Sequence, residues 1–270
     1  MRVSLAARDP TAKAGNPETY RHLPADSCGT LGTGVARLDT LLGGGYPAKS
    51  ATLLHGPPFV GKEQLLLHGI VAAVRAGVPA TVVLGATSAA AMSDRLRRLE
   101  PMVRDAERGG LLRYVDLYSP LLGADAVQPH PCAVATASVN DLGRADQLLL
   151  PATPPDEGVG CFVAVDSASA LLVDAGPQAA FLALRSVVGR TTGRGGVALL
   201  CLDAGMHPEQ EVQLAKHLCT GMVELRRKGE TLHLRVEGHE TTFLRPGWVE
   251  YEFSSRSFRL TGSFACRSIP

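Results

Sequence analysis

Ala51-Thr52-Leu53-Leu54-His55-Gly56-Pro57-Pro58-Phe59-Val60-Gly61-Lys62-Glu63-Gln64 decides the fold. A mostly apolar run of strand length stops at a glycine, a tight turn closes on Gly-Lys, and a stretch with helical length and spacing begins at Gln64 and runs to Arg75. Gly56 to Lys62 fits G-x-x-x-x-G-K in the strand-turn-helix setting that the pattern requires. The glycines let backbone N–H groups turn inward around phosphate oxygens, and the helix start adds the positive end of its dipole. Lys62 supplies a point charge for the β and γ phosphates. The alternative is a glycine-rich turn that happens to contain a lysine. Strand before, helix after and both glycines in place favour the phosphate reading. Gly56, Pro57, Pro58, Phe59, Val60, Gly61, Lys62, Glu63 and Gln64 are therefore the candidate nucleotide-binding residues, with ATP and Mg2+ as the expected ligands.

One position departs from the pattern. The residue after the lysine should be Ser or Thr, whose hydroxyl coordinates Mg2+, and here it is Glu63. A carboxylate can ligate Mg2+. It can equally pair with Lys62 and loosen its hold on phosphate, and it puts negative charge beside a triphosphate. A second metal-side candidate is Asp166, at the end of the apolar run Cys161-Phe162-Val163-Ala164-Val165. In phosphate-loop proteins an acid at such a strand end orients the metal. An ordinary strand-end turn is the competing reading.

Further strands are expected at Ala80–Leu84, Leu111–Val115 and Val197–Leu202, and helices at Thr33–Leu42, Ser93–Arg108, Gln178–Gly189 and Glu209–Cys219. Short strands at Gly221–Leu225, Thr231–Val236, Trp248–Phe253 and Ser257–Leu260 follow. The fold class is therefore α/β: a three-layer sandwich with a mostly parallel central sheet and an antiparallel C-terminal β extension. Residues 1–28 read as a flexible leader and 29–270 as a single domain. Residues 119–158 are the hardest to read, with clustered prolines and one helix candidate from Val139 to Leu150; a long connection is expected there.

Composition narrows the function classes. The 270 residues carry 27 basic and 26 acidic side chains, a formal net charge of +1. That argues against a polybasic tail or a strongly basic nucleic-acid coat. None of the six cysteines forms C-x-x-C and most lie in apolar runs, the usage of a reduced cytoplasmic protein. No stretch is apolar enough for a signal peptide or a membrane span.

Four segments together carry a resemblance. Thr33-Gly34-Val35-Ala36-Arg37-Leu38-Asp39-Thr40-Leu41-Leu42-Gly43-Gly44-Gly45-Tyr46-Pro47, the Gly56–Lys62 loop, Val163-Ala164-Val165-Asp166-Ser167-Ala168-Ser169-Ala170-Leu171 and Gly221-Met222-Val223-Glu224-Leu225 occur in the order and spacing of KaiC-like proteins of the RecA superfamily. The chain resembles that family over roughly residues 29 to 260. The resemblance implies a RecA-like fold, ATP binding, and assembly with itself or with a related RecA-like subunit.

Measured against that family, several positions are altered. The two adjacent glutamates that activate the attacking water correspond to Ala86 and Thr87, neither of which can act as a general base. The Lys-Met-Arg-Gly element that reaches a neighbouring subunit's nucleotide corresponds to Arg235-Val236-Glu237-Gly238. The entry motif's usual glycine after Pro-Arg is also missing, with Lys49 near that position. Losing a water-activating carboxylate typically costs ~10²–10⁴ in rate. Three readings stay open: a nucleotide-binding regulator or assembly protein with weak or absent hydrolysis; a working ATPase using Asp203, Glu209 or Glu211; and a DNA-binding recombinase-like accessory protein, which near-zero net charge disfavours. The eight histidines show no zinc-site spacing. Ser167 and Ser169 lack a nucleophile-elbow context and read as structural. Arg226-Arg227-Lys228 is expected in a solvent-facing hairpin turn, and Trp248 against the terminal strands.

Overall fold

Short apolar runs alternating with amphipathic stretches must bury both faces of a sheet, and the chain does so with helices on each side. The computed structural model describes residues 29–122, 130–135, 139, 142, 158–239 and 247–262. The expected leader at 1–28 and nearly all of the expected helix at 139–150 lie outside the described residues.

In chain order the elements are β1 (Thr30–Leu31), α1 (Ala36–Leu41), β2 (Tyr46–Pro47), β3 (Ser50–Gly56), α2 (Lys62–Arg75), β4 (Ala80–Leu84), α3 (Ala89–Leu99), α4 (Val103–Arg108), β5 (Leu112–Asp116) and β6 (Ala133–Ala135). Then come β7 (Phe162–Asp166), α5 (Ala168–Ala175), α6 (Pro177–Gly193), β8 (Val197–Asp203), α7 (Glu209–His217), β9 (Gly221–Lys228), β10 (Thr231–Glu237), β11 (Val249–Phe253) and β12 (Phe258–Leu260). Ten strands form one sheet in the order β12-β11-β10-β9-β3-β8-β7-β4-β5-β6. The run from β9 to β6 is parallel, and β10, β11 and β12 extend it antiparallel. This is a RecA-like α/β architecture, as the sequence predicts.

Alternation along the strands feeds two cores. Leu54, Val82, Leu84, Ala164, Leu199 and Cys201 pack with α1, α2, α3 and α4. Leu53, Val83, Val163, Val165, Leu200 and Leu202 pack with α5, α6 and α7. Burying each leucine or valine among them contributes about 1.5–3 kcal/mol.

The structure corrects several boundaries. Ser93–Arg108 is two helices, α3 and α4, because Glu100 takes extended backbone ahead of Pro101. The helix expected at Gln178–Gly189 begins at Pro177 and is preceded by a separate helix, α5. The two are divided by Gly176, whose φ of 79° only glycine adopts freely. Within 119–158, β6 extends the parallel sheet beside β5. Arg226, Arg227 and Lys228 belong to β9 rather than to a turn.

Parallel registry places the site. Gly56 at the end of β3 is opposite Asp203 at the end of β8, and Leu84 at the end of β4 is opposite Asp166 at the end of β7. The carboxyl ends of four neighbouring strands thus bring the phosphate-loop glycine and two aspartates to one edge of the sheet.

Candidate functional site

The loop between β3 and α2 is built on backbone that few residues tolerate. Phe59 has a φ of 63° and Gly61 one of 85°, so the chain reverses tightly before entering the helix. Phe59 accepts that conformation with its ring 85% exposed. Gly61 occupies the N-cap position of α2, and no side chain caps the helix. The free N–H groups of a helix start are therefore available to an anion.

Lys62 is the first residue of α2 and only 1% exposed. Its ammonium lies 2.7 Å from Asp203 Oδ1 and 2.9 Å from Glu63 Oε1, and donates to the Pro57 carbonyl at 3.3 Å. Burial works to discharge it, but hydrogen bonds to Asp203 and Glu63 more than reverse that, and its pKa lies above the ordinary lysine value. Of the two roles open to Glu63, the geometry shows pairing with Lys62. Asp203 is held in place from behind: its backbone N–H donates to Ser169 Oγ at 2.8 Å. Ser167 caps α5 by accepting from the Ala170 N–H at 3.2 Å, so both serines are structural.

Asp166 is 4% exposed and forms no ion pair with a described residue. Burial pushes its pKa up to about 6, against a smaller pull from Arg95 and a further push from Glu63. Its carbonyl accepts from Gly85 N–H at 2.8 Å and Ala86 N–H at 3.2 Å. That contact brings the turn after β4 to the same edge of the sheet, where Ala86 and Thr87 supply no carboxylate. Asp116 at the end of β5 organises the next turn, accepting from Ala89 N–H at 2.8 Å and Ser119 Oγ at 2.6 Å.

A second flank of the loop comes from the antiparallel extension. Tyr251 donates its hydroxyl to the Val60 carbonyl. The Phe253 ring rests against Gly61, where an added Cβ would meet ring carbons at 2.7 Å. Gln64 Nε2 donates to the Ser255 carbonyl at 3.4 Å. Arg227 donates to the Phe59 carbonyl at 3.4 Å, and the Arg226 guanidinium lies 3.5 Å from the Trp248 ring centroid. These arginines are thus engaged rather than simply solvated.

Other candidates fall elsewhere. Arg235 binds Glu224 at 2.6 Å and Glu237 at 2.9 Å, with its guanidinium 4.8 Å from the Trp248 centroid. Glu211 pairs with His207 at 3.1 Å. Sequence reading placed Gly56–Gln64 and Asp166 together but gave Lys62 no carboxylate partner in Asp203. The available signal was that Val197–Leu202 runs into Asp203 as Cys161–Val165 runs into Asp166. Tyr251 and Phe253 gave no comparable signal.

A strand–glycine loop–helix unit on a RecA-like sheet, its lysine buried against the strand-end Asp203 and against Glu63 of α2, defines the class. Residues 71–225 match a family of unknown function (DUF7504), and the chain belongs to that family. The solved structure of a KaiC-like protein from the hyperthermophilic archaeon Pyrococcus horikoshii OT3 superposes with a TM-score of 0.64 at 13% identity. The superposition covers 87% of this chain and 99% of that one, a likeness of fold. A DNA repair protein RadA from Mycolicibacterium smegmatis is 49% identical over 53 residues, 20% of this chain. The match spans only 10% of that relative's length.

Proposed function

We propose that this chain binds a nucleoside triphosphate, ATP, at Gly56–Gln64, hydrolyses it weakly or not at all, and acts as a regulatory or assembly component. The observation that carries the reading is Lys62, buried at the start of an uncapped helix, on the same edge of the sheet as a turn after β4 that offers Ala86 and Thr87 in place of carboxylates. Binding needs the loop and the lysine, and efficient hydrolysis needs a base that these two residues cannot be. Asp203 is engaged with Lys62 and Glu211 with His207, which counts against either as a free base in the unliganded protein.

The residues fit Mg2+ in part. Among the described residues no group of three or more His, Cys, Asp or Glu is placed to hold a metal ion. Mg2+ keeps several waters and relies on substrate phosphates, so one buried carboxylate is a workable protein contribution. Asp166 would supply it, with Glu63 able to join only by leaving Lys62.

The partner in assembly would be a second copy or a related RecA-like subunit. Arg235, the basic residue left in the 235–238 element, is tied to Glu224 and Glu237 of its own chain, which would weaken any reach across a subunit boundary. The free thiols Cys132, Cys161, Cys201 and Cys219 support a reducing cytoplasmic setting. No helix among the described residues is long and apolar enough to cross a membrane. The short likeness to a DNA repair protein is the one support for a DNA-binding role; salt-sensitive retention on DNA would raise it.

Thermal melting of the purified chain with ATP or ADP, each with and without Mg2+, tests the binding reading. A rise in Tm that Lys62→Ala abolishes is expected. No shift under any of the four conditions would sink it.

A further inference from the structure

The Val60 carbonyl of the phosphate loop is held by a strand far away in sequence. In a trans peptide the C=O and the following N–H point in opposite directions. The Tyr251 hydroxyl takes the Val60 carbonyl toward β11, across 191 positions of chain, and so turns the Gly61 N–H away from β11. Phe253 covers Gly61 on the same side, leaving no room for a side chain there. The β11–β12 unit is itself anchored: Arg37 of α1 donates to the Leu260 and Gly262 carbonyls, both at 2.6 Å. Tyr251 stacks on Phe258 with centroids 4.7 Å apart, so its ring has little freedom to swing.

We propose that Tyr251 and Phe253 are positioning residues of the phosphate loop: β11 sets the direction of the Gly61 amide and thereby the loop's affinity for a triphosphate. The proposal rests on the nucleotide-binding reading for its ligand but not for its mechanics. Residues 56–64 then form a complete cradle only while the antiparallel extension is docked. A partner or a substitution that lifts β11 would weaken ligand binding without touching Lys62.

Hydrogen exchange and ATP titration on the full chain test this together. Tyr251→Phe removes only the hydroxyl and keeps the stack on Phe258. Its expected effect is about five-fold faster exchange over residues 59–64 relative to β4, and about five-fold weaker ATP binding. Val249→Ala, on the same strand and away from the loop, is the control. It should lower Tm while leaving the loop-to-β4 exchange ratio unchanged. The proposal is overturned if Tyr251→Phe leaves that ratio unchanged, or if Val249→Ala raises it equally. If the wild-type chain does not bind ATP, the nucleotide reading fails, and exchange alone still decides whether Tyr251 holds the loop.

Discussion

The two flanks of the phosphate loop are built from different chemistry. On the β7–β8 flank the groups are charges: Asp203 against Lys62, and Asp166 with no ion pair to a described residue. On the β11–β12 flank they are rings and a hydroxyl: Phe253 on Gly61 and Tyr251 on the Val60 carbonyl. On the proposed nucleotide-binding reading, the first flank would govern how much charge a ligand must displace or neutralise. The second would govern the shape of the backbone that meets it. Substitutions on one side should therefore move affinity and pH dependence, and on the other, loop geometry and stability.

The largest break in this division comes at Gly61. Gly61→Ala forces a Cβ into the Phe253 ring at a φ of 85°, and a loss of about 3 kcal/mol in unfolding free energy is expected from chemical denaturation. Next is Lys62→Ala, expected to weaken ATP binding about 100-fold in equilibrium titration while leaving two carboxylates without their cation.

Asp166→Asn should act in the opposite direction on the unliganded fold. The carboxyl titrates at about 6 when folded, against 3.8 for its ordinary value. Below about pH 3 both states hold the proton and the site is neutral to stability. Between those values the unfolded chain ionises first, and above pH 6 the full cost of burying the charge is present. Asn removes it, so Asp166→Asn should gain up to about 3 kcal/mol at pH 7.5 and nothing below about pH 3. Melting curves at both pH values check the sign. The smallest effect sharpens the comparison. Asp203→Asn removes the carboxylate that a phosphate must replace at Lys62, and about five-fold tighter ATP binding is expected. Were Asp203 instead the water-activating base, the same variant would lower phosphate release from a measurable wild-type rate.

Local chemistry was legible in the sequence. Gly56–Lys62 declares itself because strand, loop and helix are contiguous, and the same holds for the apolar run into Asp166. Pro101 was an equally local signal, but the expected single helix over Ser93–Arg108 passed over it, and the structure breaks the helix there into α3 and α4. What the sequence concealed depends on pairing across distance. Asp203 reaches Lys62 only through the β3–β8 register, and Tyr251 reaches Val60 only because β9, β10 and β11 continue the sheet outward from β3 in that order. A tyrosine in Val249-Glu250-Tyr251-Glu252-Phe253 looks like any inward residue of an alternating strand. The proline clusters of 119–158 hid β6, whose three residues are too short to show a period.

The proposed function, ATP binding with weak or absent hydrolysis, is tested most directly by mixing labelled ATP and Mg2+ with excess protein, retaining the complex on a filter, and identifying the retained nucleotide over minutes. Retention that Lys62→Ala abolishes is expected, with the bound nucleotide still ATP. Retention no better than that of Lys62→Ala, or conversion to ADP at about 1 per second or faster, would contradict it.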